Sequence, residues 1–123
     1  MIYEIKNNNS KKLYEFCVLK GYQNSFNDFN EELFNGKDNS KTLVLEDSNK
    51  IVAFVQYSRN KDNKGLIRSF YYDEGYEKNA KELLLKVSSY YYMFHIATVD
   101  CIYDGIGNKF NKSFDFISKL KFC

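Results

Sequence analysis

The sequence predicts an α+β fold, a single mixed β-sheet flanked by helices. Three observations carry that reading. Between residues 42 and 72, three apolar runs rich in branched residues follow one another across polar connections, the pattern of an antiparallel meander. At Glu77 the apolar spacing changes to the helical period. Another apolar run follows that helix, and a strand–helix–strand passage favours a parallel pairing at that side of the sheet.

The elements follow in order. Met1 to Lys6 reads as a strand, and Asn7-Asn8-Asn9-Ser10 as a loop ending in a helix N-cap. Leu13, Phe16 and Cys17 then fall at helical spacing, with Gly21 as a natural stop. Phe26, Phe29 and Leu33 predict a second short helix ended by Gly36; Asp28, Glu31 and Glu32 sit early in it, where the helix dipole favours acids. Thr42–Glu46 and Ile51–Ser58 are strands joined by the turn residues Asp47-Ser48-Asn49-Lys50. A polar stretch from Arg59 to Gly65 leads to a strand over Leu66–Tyr72. Ala80, Leu83, Leu84, Val87 and Tyr91 form one apolar stripe, so a helix should run from Glu77 to about Tyr92. Ile96–Tyr103 reads as a strand, bounded by the turn residues 104–108. A last helix carries Phe110, Phe114, Ile117 and Lys121 on one side, with Leu120 adjoining.

Length and composition narrow the function. The 123 residues, 14.6 kDa, fit one domain over 1–123. Eleven Tyr and eleven Phe exclude a disordered chain. A net charge of +2 argues against a dedicated duplex-DNA binder, which needs a strong basic excess. No apolar run reaches a membrane span, and the start lacks a signal-peptide core. Cys17, Cys101 and Cys123 have neither a zinc spacing nor a disulfide pattern, which suits a reducing cytoplasm. With His95 as the one histidine, no metal site is expected.

Several residues carry a bland reading beside a chemical one. Tyr90-Tyr91-Tyr92 with Phe94 is expected to pack in the core or an interface rather than form a recognition surface. His95 is expected to cap or follow a helix, since no nucleophile–base set gathers around it by motif. Cys101 reads as a small buried hydrophobe. Lys61, Lys64 and Arg68 read as a solvated loop, and Asp73, Glu74 and Glu77 as acids stabilising a helix start.

Across nearly its whole length the element order resembles the GNAT family of acyl-CoA-dependent N-acyltransferases. The resemblance is sharpest from Lys50-Ile51-Val52-Ala53-Phe54 to Ala80-Lys81-Glu82-Leu83-Leu84. In that family a strand leads into a turn bearing Arg or Gln, two residues, Gly, one residue, then Gly or Ala. Here Gly75 falls at the Arg/Gln position, Lys78 at the middle Gly and Ala80 at the final Gly/Ala. Small residues let a phosphate approach the free N–H groups of a helix start. Lys78 brings charge and bulk together, and Glu74 and Glu77 repel an anion. The loop therefore reads as a weakened anion site, or as a lost one. Counting back from Phe122 puts Ile117 where the family places its proton-donating Tyr, and the chain stops at Cys123, short of the strands that usually close the family's sheet.

The resemblance implies transfer of an acetyl group from acetyl-CoA to a primary amine of a small molecule or peptide, by direct attack in a ternary complex. It implies a cofactor site over Phe70, Tyr71, Gly75, Tyr76, Glu77, Lys78, Asn79, Ala80 and Lys81, with a backbone N–H near Phe70 polarising the thioester. The acceptor would enter near Tyr22 and Phe26, and Tyr103 is the choice of proton donor. The alternative is a GNAT-shaped domain without catalysis, used for binding or dimerisation. A single-strand nucleic-acid binder ranks lower, since no basic stripe accompanies the aromatics. A homodimer is expected from an unpaired sheet edge and surplus aromatics.

Overall fold

The computed structural model describes residues 1–21, 40–59, 62, 64–96 and 99–101. The second helix expected at Phe26–Gly36 and the last helix expected from Phe110 lie outside these residues. The elements are β1 (Ile2–Glu4), a single 3-10 turn (Asn7–Asn9), α1 (Lys11–Leu19), β2 (Lys41–Asp47), β3 (Lys50–Arg59), β4 (Gly65–Tyr72), α2 (Glu77–Met93) and β5 (Val99–Cys101).

The strands form one five-stranded sheet in the order β1-β2-β3-β4-β5. β1 to β4 pair antiparallel, and β5 pairs parallel to β4 through Gly65–Ile67. This is the mixed sheet expected from the sequence. The β2–β3 connection is a two-residue turn in which Ser48 and Asn49 both have positive φ, 51° and 67°. That handedness matches the twist of the strands it joins.

Each face of the sheet buries its own core. Against α2 lie Val55, Tyr57, Ile67, Phe70 and Tyr72 with Ala80, Leu83, Leu84, Val87 and Tyr91. On the other face Leu13, Phe16 and Cys17 of α1 pack on Val44, Ile51, Phe54 and Tyr71. The alternation Phe70–Tyr71–Tyr72 thus sends Phe70 and Tyr72 to one core and Tyr71 to the other, as the pleat requires.

Both helices end as their backbones dictate. Gly21, at φ +78°, closes α1, and its N–H donates to the Val18 carbonyl at 3.0 Å. α2 ends in a Schellman motif: His95 takes φ +57° and donates its N–H to Tyr92, while Ile96 donates to Tyr91 at 2.9 Å. His95 therefore follows a helix, as its bland reading held. The same turn occupies Ile96, so Ile96 does not begin the strand as expected; β5 is described from Val99. Ser10 differs too. Its hydroxyl caps no N–H of α1 and instead donates back to the Asn7 carbonyl at 3.3 Å.

The start of β4 is sealed by one side chain. The Tyr91 hydroxyl accepts from the Leu66 N–H at 3.1 Å and donates to the Ser58 carbonyl at 2.8 Å. Its ring lies over Gly65, where an added Cβ would fall 2.7 Å from the ring. Burial pushes the Tyr91 phenol well above its usual range. Of the Tyr90–Tyr92 run, Tyr91 is buried as core packing demands, whereas Tyr92 is 85% exposed and contributes nothing to the core.

Candidate functional site

β4 leads into the region where the sequence places a ligand. Between Gln56 and Tyr57 the β3–β4 register slips, so that Gln56 faces Ser69 and Tyr57 faces Ile67. Arg68 is therefore the extra residue of a bulge in β4, a device that re-aims a strand. Beyond it, the Asp73 N–H donates to the Val52 carbonyl at 2.8 Å. Hydrogen-bonded and non-bonded pairs alternate along an antiparallel ladder. Asp73/Val52, Tyr71/Phe54 and Ser69/Gln56 are then the bonded pairs. The N–H and C=O groups of Phe70 and Tyr72 consequently turn to the opposite edge of β4, the edge that carries β5 at its start.

A tight turn joins β4 to α2. The Tyr76 N–H donates to the Asp73 carbonyl at 3.1 Å, and Gly75 lies at φ +91°, where an added Cβ would meet no described residue within 4 Å besides its chain neighbours. That position needs glycine for its backbone and leaves open space beside it. Tyr76 is the N-cap residue, and among the described residues no side chain caps the helix start. Its phenol donates instead to Asp47 Oδ2 at 2.8 Å, fastening the turn to the β2–β3 hairpin; that carboxylate raises the phenol's pKa.

The N–H groups of Glu77, Lys78 and Asn79 thus belong to an uncapped first turn, and their side chains are exposed. Ala80 is different. It is buried in the α2 core, and its N–H already donates to the Tyr76 carbonyl at 2.8 Å. Lys81 stands exposed one residue further along. The described backbone thus runs from Phe70 through the Gly75 turn to Glu77–Asn79, while the side chains of Phe70 and Tyr71 serve the two cores. Tyr22, Phe26 and Tyr103 lie outside the described residues.

A cluster on the α1 face escaped the sequence reading. Lys20, the C-cap residue of α1, places its Nζ 3.0 Å from Asp73 Oδ1. The Tyr71 hydroxyl donates to the same oxygen at 2.5 Å. The Lys20 ammonium also stands 5.7 Å from the ring centroids of both Phe16 and Tyr71. Lys20 and Asp73 are 53 positions apart, so no local pattern could have joined them.

A separate open groove of about 830 Å³ lies at the β1 edge, beside the start of α1. There Glu46 accepts from Tyr3 at 2.6 Å and pairs with Lys12. The Lys12 contact, then the Tyr3 hydrogen bond, lower the Glu46 pKa. Burial and the same hydrogen bond push Tyr3 up to about 12. The Lys12 and Glu46 charges thus satisfy each other. No helix among the described residues is long and apolar enough to cross a membrane.

Comparison with known proteins identifies the architecture. No family model and no curated protein sequence matches the chain. Solved structures do. A GNAT-family acetyltransferase from Staphylococcus aureus Mu50 superposes with a TM-score of 0.71 at 19% identity, covering 98% of this chain and 82% of its own. A ribosomal-protein-alanine N-acetyltransferase from Brucella melitensis biovar Abortus gives 0.71 at 11% identity, with 95% and 89% covered. An aminoglycoside acetyltransferase from an uncultured soil metagenomic sample, solved with trehalose, gives 0.67 at 18% identity, with 98% and 86% covered. The chain has the fold of the GNAT acyl-CoA N-acyltransferases.

Proposed function

We propose that this protein transfers an acetyl group from acetyl-CoA to a primary amine of a small molecule or peptide. The observation that carries the reading is the junction of β4 and α2. A strand whose Phe70 and Tyr72 amides turn to the β5 side runs through a glycine turn into a helix start that no described side chain caps. Such a helix start attracts anions by its N–H groups and its dipole. The open space at Gly75 admits a diphosphate close to the backbone.

Acetyl-CoA, when bound, supplies an activated thioester. On this reading Gly75 to Lys81 hold its diphosphate, with the N–H groups of Glu77, Lys78 and Asn79 as the donors. The Phe70 N–H holds the thioester oxygen, where negative charge develops during attack by the amine. Tyr22 and Phe26 line the acceptor's approach, and Tyr103 returns a proton to the departing thiolate. The setting is the cytoplasm, and the chain works as a homodimer that buries its surplus aromatics.

The charges at the helix start favour a second reading. Glu74 and Glu77 stand exposed where an anion would sit, and Lys78 occupies the position of a small residue. A GNAT-fold domain that has given up catalysis for binding would tolerate both. Calorimetric titration with acetyl-CoA separates the two. Saturable binding to one site per chain supports the transferase, and no heat at millimolar ligand supports the second reading.

A further inference from the structure

We infer that Asp73, with the rings of Phe16 and Tyr71, forms a subsite for a second ammonium group on the acceptor, and that Lys20 fills this subsite in the free protein. The inference rests on the transferase reading and adds to it the class of acceptor, a linear dication.

The structure already shows an ammonium seated there. Lys20 Nζ lies 3.0 Å from Asp73 Oδ1 and 5.7 Å from the centroids of both rings. A carboxylate beside aromatic faces is the chemistry that recognises an organic cation. Lys20 and the Tyr71 hydroxyl both engage Oδ1, and no described residue is bonded to Oδ2. The carboxylate therefore has a second oxygen for an incoming cation. The pair is reachable, with side chains 20% exposed for Lys20 and 28% for Asp73. The pair is half-buried, with no bidentate contact, and Lys20 is held by one carboxylate oxygen and two cation–π contacts, so a ligand of the same charge competes for its place.

The position fixes the geometry of the ligand. Asp73 continues the β3–β4 ladder, three residues beyond Phe70. At the ~3.3 Å rise of a strand, the carboxylate's backbone lies ~10 Å from the amide proposed to hold the reacting centre. An acceptor that reacts at one amine and anchors at the other needs about that separation between its nitrogens. 1,8-Diaminooctane spans it, 1,4-diaminobutane is too short, and 1-aminooctane has the length without the second charge.

The test titrates the full-length protein with 1,8-diaminooctane and with 1-aminooctane by calorimetry, in the absence of acetyl-CoA. The same is done for K20M, K20Q and D73N, each first shown to unfold cooperatively. The expected result is selectivity for the diamine that rises about tenfold in K20M and falls about tenfold in D73N. K20Q should follow K20M, which keeps the test intact if one of the two fails to fold. Equal affinity of the wild type for the diamine and the monoamine overturns the inference. So does a D73N variant that keeps its preference for the diamine, or a K20M variant that gains none. A parallel acetyl-CoA titration isolates the underlying reading. Diamine selectivity without acetyl-CoA binding would sink the transferase and leave the cation subsite, whereas acetyl-CoA binding without diamine selectivity would do the reverse.

Discussion

The two ends of β4 are built in opposite ways. At its start, Gly65 gives up its side chain so that the Tyr91 ring can lie against it, and the Tyr91 hydroxyl takes up backbone groups of Leu66 and Ser58. β5 pairs along the same residues. At its finish, a bulge at Arg68 and a left-handed Gly75 lead into the start of α2. The first end spends glycine on packing and the second on an exposed turn. The same strand thus serves as core at one end and as a candidate ligand cradle at the other. Stability should therefore respond to the first end and ligand affinity to the second.

The largest test of that contrast is Tyr91→Ala. It removes a buried aromatic ring and its hydroxyl, and should lower unfolding free energy by about 3–5 kcal/mol in denaturant titrations. A loss under about 1 kcal/mol would show that the start of β4 is not held as described. Gly65→Ala sharpens the point, with an expected cost of about 1–3 kcal/mol from overpacking against the ring. In a Tyr91→Leu background most of that cost should vanish, as a double-mutant cycle reads out. An additive result would place the strain elsewhere.

Alkaline pH probes the same end without mutation. Burial raises Tyr57 to about 12 and raises Tyr91 as well, so the fold prefers both phenols protonated. Their contribution is complete below the unfolded value of about 10 and is lost as pH rises toward 12 and beyond. Unfolding free energy should stay level up to pH 10 and then decline steeply, and Tyr57→Phe should flatten the decline. A curve that stays level to pH 12 would contradict these burials.

The smallest expected effect belongs to the other end. Glu77→Gln removes a negative charge at the α2 start and should tighten acetyl-CoA binding by about 0.3–1 kcal/mol. Unfolding free energy should barely move. Weaker binding in this variant would place the diphosphate away from the helix start.

How far the sequence could be read follows from the range of each interaction. The α2 stripe of Ala80, Leu83, Leu84, Val87 and Tyr91 was legible because helical spacing is local, and all five are buried. The meander was legible for the same reason, through its short apolar runs and the Asp47–Lys50 turn. The bulge at Arg68 left no mark, since an extra residue is visible only against the partner strand. Gly65 looked like a loop glycine until the Tyr91 ring arrived from 26 positions away. Ser10 offered a cap, yet the preceding 3-10 turn supplied the Asn7 carbonyl as a competing partner. In the candidate site, the Gly75 turn and the helix start were found from the strand-to-helix switch. Ala80 matched a motif position, but its place on the core-facing stripe buries it. Asp73 read as an ordinary helix-start acid, and folding alone brought Lys20 to it.

The central claim concerns the backbone amides at the end of β4, so the direct measurement is amide chemical-shift mapping in a ¹⁵N-labelled protein titrated with acetyl-CoA. The account predicts saturable shifts at Phe70, Tyr72 and Gly75 to Asn79. Leu66 and Ile67 should remain unmoved, shielded by Tyr91 and β5. Shifts confined to the start of β4 or to the β1-edge groove, or no saturable shift at Gly75 to Asn79, would contradict it.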